Sequence, residues 1–153
     1  DGQVAGSFVG AQGEEAVRAF VEGLLPTEEV SEMERLVAAG DEASLIAALA
    51  IENDNVEAVT ALALLLVERS GEGDREAALQ LLERIPESAE TRRIAAMARV
   101  EPVEDVETTL GELLLAVKDD DEARQRFVDL LEVLGPDDPR TAEWRRRLTS
   151  TLF

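Results

Sequence analysis

The sequence contains no cysteine, no histidine and no tyrosine among its 153 residues. It therefore has no thiolate, imidazole or phenol to act as nucleophile, general base or soft metal ligand near neutral pH. Disulfides are excluded, and no GxGxxG, P-loop or GxSxG motif occurs. A hydrolase that uses paired carboxylates stays possible in principle, but nothing marks out one pair among 34 acidic residues. We therefore expect a non-enzymatic protein without cofactor or metal.

Aromatic residues make up only 3% of the chain, so its core must consist of leucine, alanine, valine and isoleucine. These small and aliphatic side chains suit closely packed helices. No apolar run approaches the roughly 20 residues that a membrane span needs, and no secretory leader is recognisable. We expect a cytoplasmic protein.

The net charge is −19, and it is unevenly distributed. Such a charge opposes binding to nucleic acid or to anionic membranes and favours basic or apolar partners. An organism whose proteins are all acidic would give the same charge, so the sign alone selects no partner. Residues 139–153 differ, because they hold four arginines and one acid and leave −22 on residues 1–138.

From residue 27 onward, apolar residues recur with helical spacing between short turns. Capping residues and closing glycines or prolines delimit roughly eight helices of 10–16 residues. The predicted helix starts are Thr27, Asp41, Asp54 or Asn55, Asp74, Ser88, about Val103, Asp119–Asp121, and Asp138 with Pro139. Short connections of this kind are typical of an antiparallel array of helix hairpins.

One pair of helices has the length of a known repeat. A tetratricopeptide repeat takes about 34 residues for two helices, and residues 55–85 fit that length. Small residues, including Ala61 and Ala63 on the first helix and Ala77 and Ala78 on the second, would let the two helices approach closely. We expect one convincing repeat with degenerate neighbours.

The first 26 residues differ from the rest. Residues 1–10 are rich in glycine and predict a strand, and residues 13–25 predict an amphipathic helix that Pro26 ends. A single strand cannot satisfy its backbone hydrogen bonds. We therefore expect residues 1–10 to be cut from a preceding α/β domain and to fray without a partner strand.

Several segments together resemble the YbbN (CnoX) type of thioredoxin-like co-chaperone, in the family's order. They are residues 1–10 and 24–26, which resemble the last strand and helix of a thioredoxin domain, and residues 49–55, 73–78, 123–135, 135–139, 144–148 and 152–153. The resemblance implies a thioredoxin-derived segment at residues 1–26 and a tetratricopeptide-like helical domain at residues 27–153. The expected fold class is all-α apart from that first strand.

The same resemblance implies a function in protein folding. Members of the family hold unfolded or oxidised client proteins and pass them to chaperones, notably the chaperonin GroEL. The chain lacks the portion that would carry a redox CxxC, so we expect no thiol chemistry from it. The alternative is a purely structural or dimerisation scaffold of a larger thioredoxin-domain protein.

The last helix carries the candidate protein-binding residues: Trp144, Arg145, Arg146, Arg147 and Phe153. Aromatic side chains could anchor a partner, and the arginines could bind its carboxylates. Three successive arginines point around the helix and cannot all face one partner. They could instead complement the helix dipole or contact the acidic body of the protein, and Trp144 has the helical spacing of a core residue.

Two further patterns are better explained without a specific ligand. Residues 119–122 are all acidic, but they lack the spacing and the glycine of a calcium-binding loop, and helix capping explains them. Residues 41–101 hold only six basic residues, all arginine. A groove in this region should therefore reject acidic peptide termini and favour a basic or apolar segment.

Overall fold

The computed structural model describes residues 28–153 together with residues 17, 18 and 20. All regular secondary structure in these residues is helical, as the periodicity predicts. Eight helices follow one another along residues 28–153: α1 (Glu28–Ala39), α2 (Glu42–Ile51), α3 (Val56–Arg69), α4 (Asp74–Leu82), α5 (Ala89–Arg99), α6 (Val106–Ala116), α7 (Asp121–Leu134) and α8 (Pro139–Leu152).

The thioredoxin-derived segment at residues 1–26 remains a prediction. The strand predicted at residues 1–10 lies outside the described residues. Of the helix predicted at residues 13–25, residues 17, 18 and 20 are described, and they are helical.

Side-chain caps start most of the helices. At six helices an N-cap side chain accepts a hydrogen bond from a backbone N–H of the first turn, which satisfies donors that the helix itself leaves unpaired. These residues are Asp41, Asn55, Ser88, Asp105, Asp120 and Asp138. The acidic run at residues 119–122 thus contains a cap.

The predicted cap at Asp74 is wrong. Gly73 is the N-cap of α4, and its φ of +79° lies in the region that favours glycine. Asp74 is the first residue of the helix. Its carboxylate accepts two bonds of 2.7 Å from the Arg69 guanidinium and one of 2.8 Å from the backbone N–H of Gly71. This network fixes the turn between α3 and α4.

Two helix boundaries also differ from the prediction. Helix α6 starts at Val106 rather than near residue 103, because Asp105 caps it by accepting from the N–H of Glu107 at 3.0 Å. Helix α3 ends just before Ser70, which takes the left-handed conformation with φ of 52°, whereas Gly71 was expected to end it.

The hairpin of α3 and α4 has small residues at its contact. Of the four predicted to lie there, Ala63 and Ala78 are fully buried and Ala61 and Ala77 are partly buried. Ala58 on α3 is also fully buried. Because alanine side chains are small, the two helix backbones can approach each other closely. The apolar helix α3 also has the predicted central position, since it packs against α1, α2, α4 and α5.

The remaining helices form a stack with one irregularity. Neighbours along the chain pack on each other, and alternate helices also touch in the pairs α1–α3, α3–α5, α5–α7 and α6–α8. The exception among the described helices is α5 with α6, which make no helix–helix contact. Helix α7 takes that place against α5, while α6 packs on α7 and α8.

Two groups of buried apolar side chains form the core. The first core cluster joins α2 to α5 and contains Leu45, Ala48, Ala58, Val59, Leu62, Ala63, Leu66, Val67, Ala78, Leu81, Ile85, Ile94 and Ala98. The second core cluster joins α6, α7 and α8 and contains Leu110, Val117, Phe127, Leu130, Leu131 and Trp144. The contact between α5 and α7 therefore links the two halves of the molecule.

Candidate protein-binding surfaces

An open groove lies where α4, α5 and α7 meet. It has a volume of about 710 Å³. We call it the α4–α5–α7 groove, and its lining residues are Leu79, Leu82, Glu83, Ile85, Glu87, Thr91, Arg92, Ala95, Arg99, Gln125, Val128, Asp129 and Glu132. The groove exists because α5 packs on α7 and leaves a concave surface beside α4.

Apolar side chains from all three helices line part of this groove. Leu82 comes from α4, Ala95 from α5 and Val128 from α7. The side chain of Val128 is 37% exposed although it is an aliphatic residue within a helix. A protein segment with an apolar side chain could bury this surface.

Both arginines of the groove are already bound to carboxylates. Arg99 donates to Asp129 at 3.1 Å, and Arg92 donates to Glu87 at 3.1 Å. Asp129 is only 4% exposed and also accepts from the Gln125 amide at 3.0 Å. The groove thus offers no unpaired guanidinium to a ligand carboxylate.

The remaining charge of the groove is negative. Its lining contains four acidic residues and two arginines. Within the described residues, Glu83 forms no ion pair, and Glu132 has only a long contact of 3.4 Å with Arg145 of α8. These carboxylates can attract a basic side chain of a partner.

The structure places Trp144, the first of the predicted binding residues, in the second core cluster. It is 5% exposed, and its ring meets the Phe127 ring edge to face, with centroids 6.1 Å apart and an interplanar angle of 73°. The Arg147 guanidinium lies 4.5 Å from the centroid of the Trp144 ring, a cation–π geometry. Trp144 therefore holds α8 against α7.

The other predicted residues point in different directions. Arg145 reaches Glu132 of α7 at 3.4 Å, and Arg147 pairs with Glu143 of its own helix. Arg146 donates only to the backbone oxygen of Ala142, at 3.3 Å, and finds no carboxylate in the described part of the chain. The Phe153 side chain is fully exposed. The five residues do not form one cluster.

The carboxyls with the largest described pKa shifts belong to structural networks. The side-chain bonds from Arg69, and then the backbone N–H of Gly71, lower the pKa of Asp74 to about 2. The side-chain bond from Arg140, and then the backbone N–H of Arg140, lower the pKa of Asp138 to about 2. Neither carboxyl lines the α4–α5–α7 groove.

Among the side chains that the structure describes, no three acidic residues converge in a way that could hold a metal ion. No helix in the described part of the chain is long and apolar enough to cross a bilayer.

A binding groove was expected from the sequence, but none of the residues that line the α4–α5–α7 groove was predicted to do so. Val128 was a recognisable candidate for an exposed binding residue. It is apolar, but it lies outside the buried stripe of Phe127, Leu130 and Leu131 on α7. The pairing of Arg99 with Asp129 could not be recognised from the sequence, since the two residues are 30 positions apart.

Comparison with known proteins identifies the family. No curated protein and no solved structure matches the chain. The family described as tetratricopeptide repeat matches residues 36–153, which include the last turn of α1 and all of α2 to α8. This match covers more than half of the sequence and agrees with the stacked helix pairs described above. The chain belongs to the tetratricopeptide repeat family.

Proposed function

We propose that this chain is a non-enzymatic protein-binding module that holds a basic or apolar segment of a client protein in the α4–α5–α7 groove. The observation that carries the proposal is the groove itself, with its exposed apolar lining and its surplus of carboxylates. Tetratricopeptide repeats generally mediate contacts between proteins, often through a concave surface. Its volume of about 710 Å³ exceeds the volume of about 520 Å³ of a cleft beside α8.

The charge of the groove selects the class of client segment. Arg92 and Arg99 are held by Glu87 and Asp129, whereas Glu83 has no ion-pair partner among the described residues. An acidic segment would meet uncompensated carboxylates, and a lysine or arginine would complement them. The net charge of −19 on the whole chain also attracts basic segments and repels acidic ones at long range.

The resemblance to YbbN-type co-chaperones suggests the biological setting. We propose that the clients are unfolded or oxidised proteins and that a chaperonin of the GroEL type is a second partner, contacted through α8. Of the residues predicted for that contact, Arg146 and Phe153 are the best placed. Trp144 is buried, so it would support the contact by holding α8 in position.

Peptide binding tests the groove. The probes are a labelled peptide that combines leucine with lysine and its counterpart with glutamate in place of lysine, each titrated by fluorescence anisotropy. We expect the lysine peptide to bind and the glutamate peptide to bind far more weakly at this site. Val128→Lys should weaken the lysine peptide by about tenfold or more, because it removes apolar surface and adds a like charge.

A matched variant controls for the added lysine. Ile46 on α2 is 53% exposed and lies outside the groove, so Ile46→Lys adds the same charge elsewhere. We expect it to leave peptide affinity unchanged. Equal affinity of Val128→Lys and Ile46→Lys, with both variants folded by circular dichroism, would refute the groove as the binding site.

A second candidate function is a scaffold that self-associates, and one surface favours it. Helix α2 is apolar on its outward side as well, where Ala43, Ile46, Ala47, Ala50 and Ile51 are exposed. Sedimentation equilibrium tests this alternative. A dimer that Ile46→Lys dissociates would support it, and a monomer over the accessible concentration range would exclude it.

A further inference from the structure

A second and smaller cleft lies between α6 and α8, on the helix where the arginines are concentrated. Its volume is about 520 Å³. We call it the α6–α8 cleft, and its lining residues are Leu114, Glu143, Arg146, Arg147, Ser150 and Thr151. It shares no lining residue with the α4–α5–α7 groove.

Arg146 lines this cleft without a carboxylate partner among the residues that the structure describes. Three of the four arginines of α8 have carboxylate partners: Arg140 pairs with Asp138, Arg145 with Glu132, and Arg147 with Glu143. Arg146 uses its Nε atom for the backbone of its own helix, and its terminal nitrogens meet no carboxylate of the described residues. Its guanidinium can therefore accommodate a carboxylate in the two-bond geometry that arginine favours.

The opposite side of the cleft offers apolar surface. Position 111 of α6 faces α8, because a side-chain atom placed on Gly111 would lie 3.9 Å from the Trp144 ring. Leu114 and Leu115 follow at three and four residues, so they lie on the same side of α6. Leu114 lines the cleft, and Leu115 is 87% exposed. Leu114 thus lines the same cleft as a guanidinium that has no carboxylate partner among the described residues, a combination that a partner protein can bury.

We propose that the α6–α8 cleft binds an acidic segment of a partner protein. A carboxylate of that segment bonds to Arg146, and a neighbouring apolar side chain packs on Leu114 and Leu115. The hydroxyl groups of Ser150 and Thr151 also line the cleft. This inference deepens the proposed second contact through α8, and it does not depend on the groove.

Screening at physiological salt limits the effect of the chain's distant negative charge on the cleft. Electrostatic screening acts over about 8 Å at that ionic strength, so a bound segment senses mainly the charges around it. The net charge of residues 139–153 is positive, whereas that of the whole chain is −19. The two surfaces therefore prefer partners of opposite sign, which lets one chain bridge a basic client and an acidic second partner.

The test uses the intact chain with a labelled peptide that combines glutamate with leucine. We expect saturable binding at physiological salt. Arg146→Glu should weaken it by about tenfold or more, since it removes a charge-assisted hydrogen bond and adds repulsion. Leu115→Ser should weaken it less and in the same direction.

Arg126→Glu is the matched control, because Arg126 is exposed on α7, lines neither cavity and has no ion pair among the described residues. We expect it to leave the binding of the glutamate peptide unchanged. The inference is overturned if the intact chain does not bind this peptide, or if Arg146→Glu and Arg126→Glu bind it equally while both remain helical.

The lysine peptide separates this inference from the groove proposal. Arg146→Glu should leave binding of the lysine peptide unaffected, and Val128→Lys should leave binding of the glutamate peptide unaffected. Loss of one peptide without the other identifies which of the two surfaces fails.

Discussion

Arg99 on α5 donates a hydrogen bond of 3.1 Å to Asp129 on α7, and this pair joins the two halves of the molecule. Helix α5 contributes to the first core cluster and helix α7 to the second. The Asp129 side chain is 5% exposed, whereas the Arg99 side chain is 46% exposed. The Asp129 carboxylate is thus buried, and its hydrogen bonds come from Arg99 and Gln125.

Replacing Arg99 should destabilise the fold. Arg99→Met removes the main partner of a buried carboxylate, and we expect a loss of about 1–2 kcal/mol in the free energy of unfolding. Urea unfolding measures it. Arg126→Met on α7 removes an exposed arginine without a carboxylate partner and should change stability by less than about 0.5 kcal/mol. Equal effects of the two substitutions would contradict this role of the pair.

Replacing Gly111 should stabilise the protein. A Cβ atom at this position would meet only the Trp144 ring, at an ordinary contact distance of 3.9 Å. Gly111→Ala should therefore raise the free energy of unfolding by up to about 1 kcal/mol, the difference in helix propensity. Thermal unfolding measures the change.

Gly135→Ala is the control with the opposite expected sign. Gly135 follows α7 with φ of +84°, a conformation that strains alanine. We expect it to lower stability by about 1 kcal/mol or more. If Gly135→Ala raises the free energy of unfolding, or Gly111→Ala lowers it, local backbone geometry does not determine the effect of substitutions at these two positions.

Acid should weaken the turn between α3 and α4. The Arg69 bonds lower the pKa of Asp74 to about 2 from its usual 3.8. A carboxyl with a lowered pKa in the folded state stabilises the fold above the unfolded pKa and loses that contribution as pH falls towards the folded pKa. The contribution of Asp74 should therefore be complete above about pH 4 and be lost between about pH 4 and pH 2.

Asp74→Asn tests that pH dependence. The difference in melting temperature between the native chain and Asp74→Asn should be largest near neutral pH and shrink as the pH falls to about 2. Asp119→Asn removes an exposed carboxylate that has no ion pair among the described residues, and it is the control for the loss of one charge. A difference for Asp74→Asn that is constant with pH would contradict the assignment.

Trp144 should contribute more to stability than the exposed Leu115 of α6. It is 5% exposed and packs against Phe127. Trp144→Ala should cost about 3–5 kcal/mol, because it leaves a large cavity in the second core cluster. Leu115→Ala, at a side chain that is 87% exposed, should stay within about 0.5 kcal/mol. Urea unfolding followed by circular dichroism measures both.

Local features of the fold were predictable from the sequence because their causes are local. Asp41, Asn55, Ser88, Asp120 and Asp138 start helices as the capping rules predict. Asp74 departs from those rules, because its carboxylate accepts hydrogen bonds from the Arg69 guanidinium of the preceding helix and does not cap α4. Asp74 forms an ion pair with Arg69 across the turn, and Gly73 takes the N-cap position.

Partners between helices were not predictable. The connection between α5 and α6 is short enough for a hairpin, yet α5 packs on α7. The α4–α5–α7 groove follows from that choice, and so does the pairing of Arg99 with Asp129. Similarly, the sequence shows that Arg145, Arg146 and Arg147 diverge around a helix, but the different surroundings of each depend on α6 and α7.

The position of the single tryptophan gives the protein a built-in spectroscopic reporter. Trp144 lies in the second core cluster, whereas eight helices distributed over both clusters contribute to the far-ultraviolet circular dichroism of residues 28–153. Indole emission therefore follows α6 to α8 alone, and the dichroism follows the whole stack. Coincident unfolding curves mean that both clusters melt as one unit, and an earlier or later emission curve means that they melt separately.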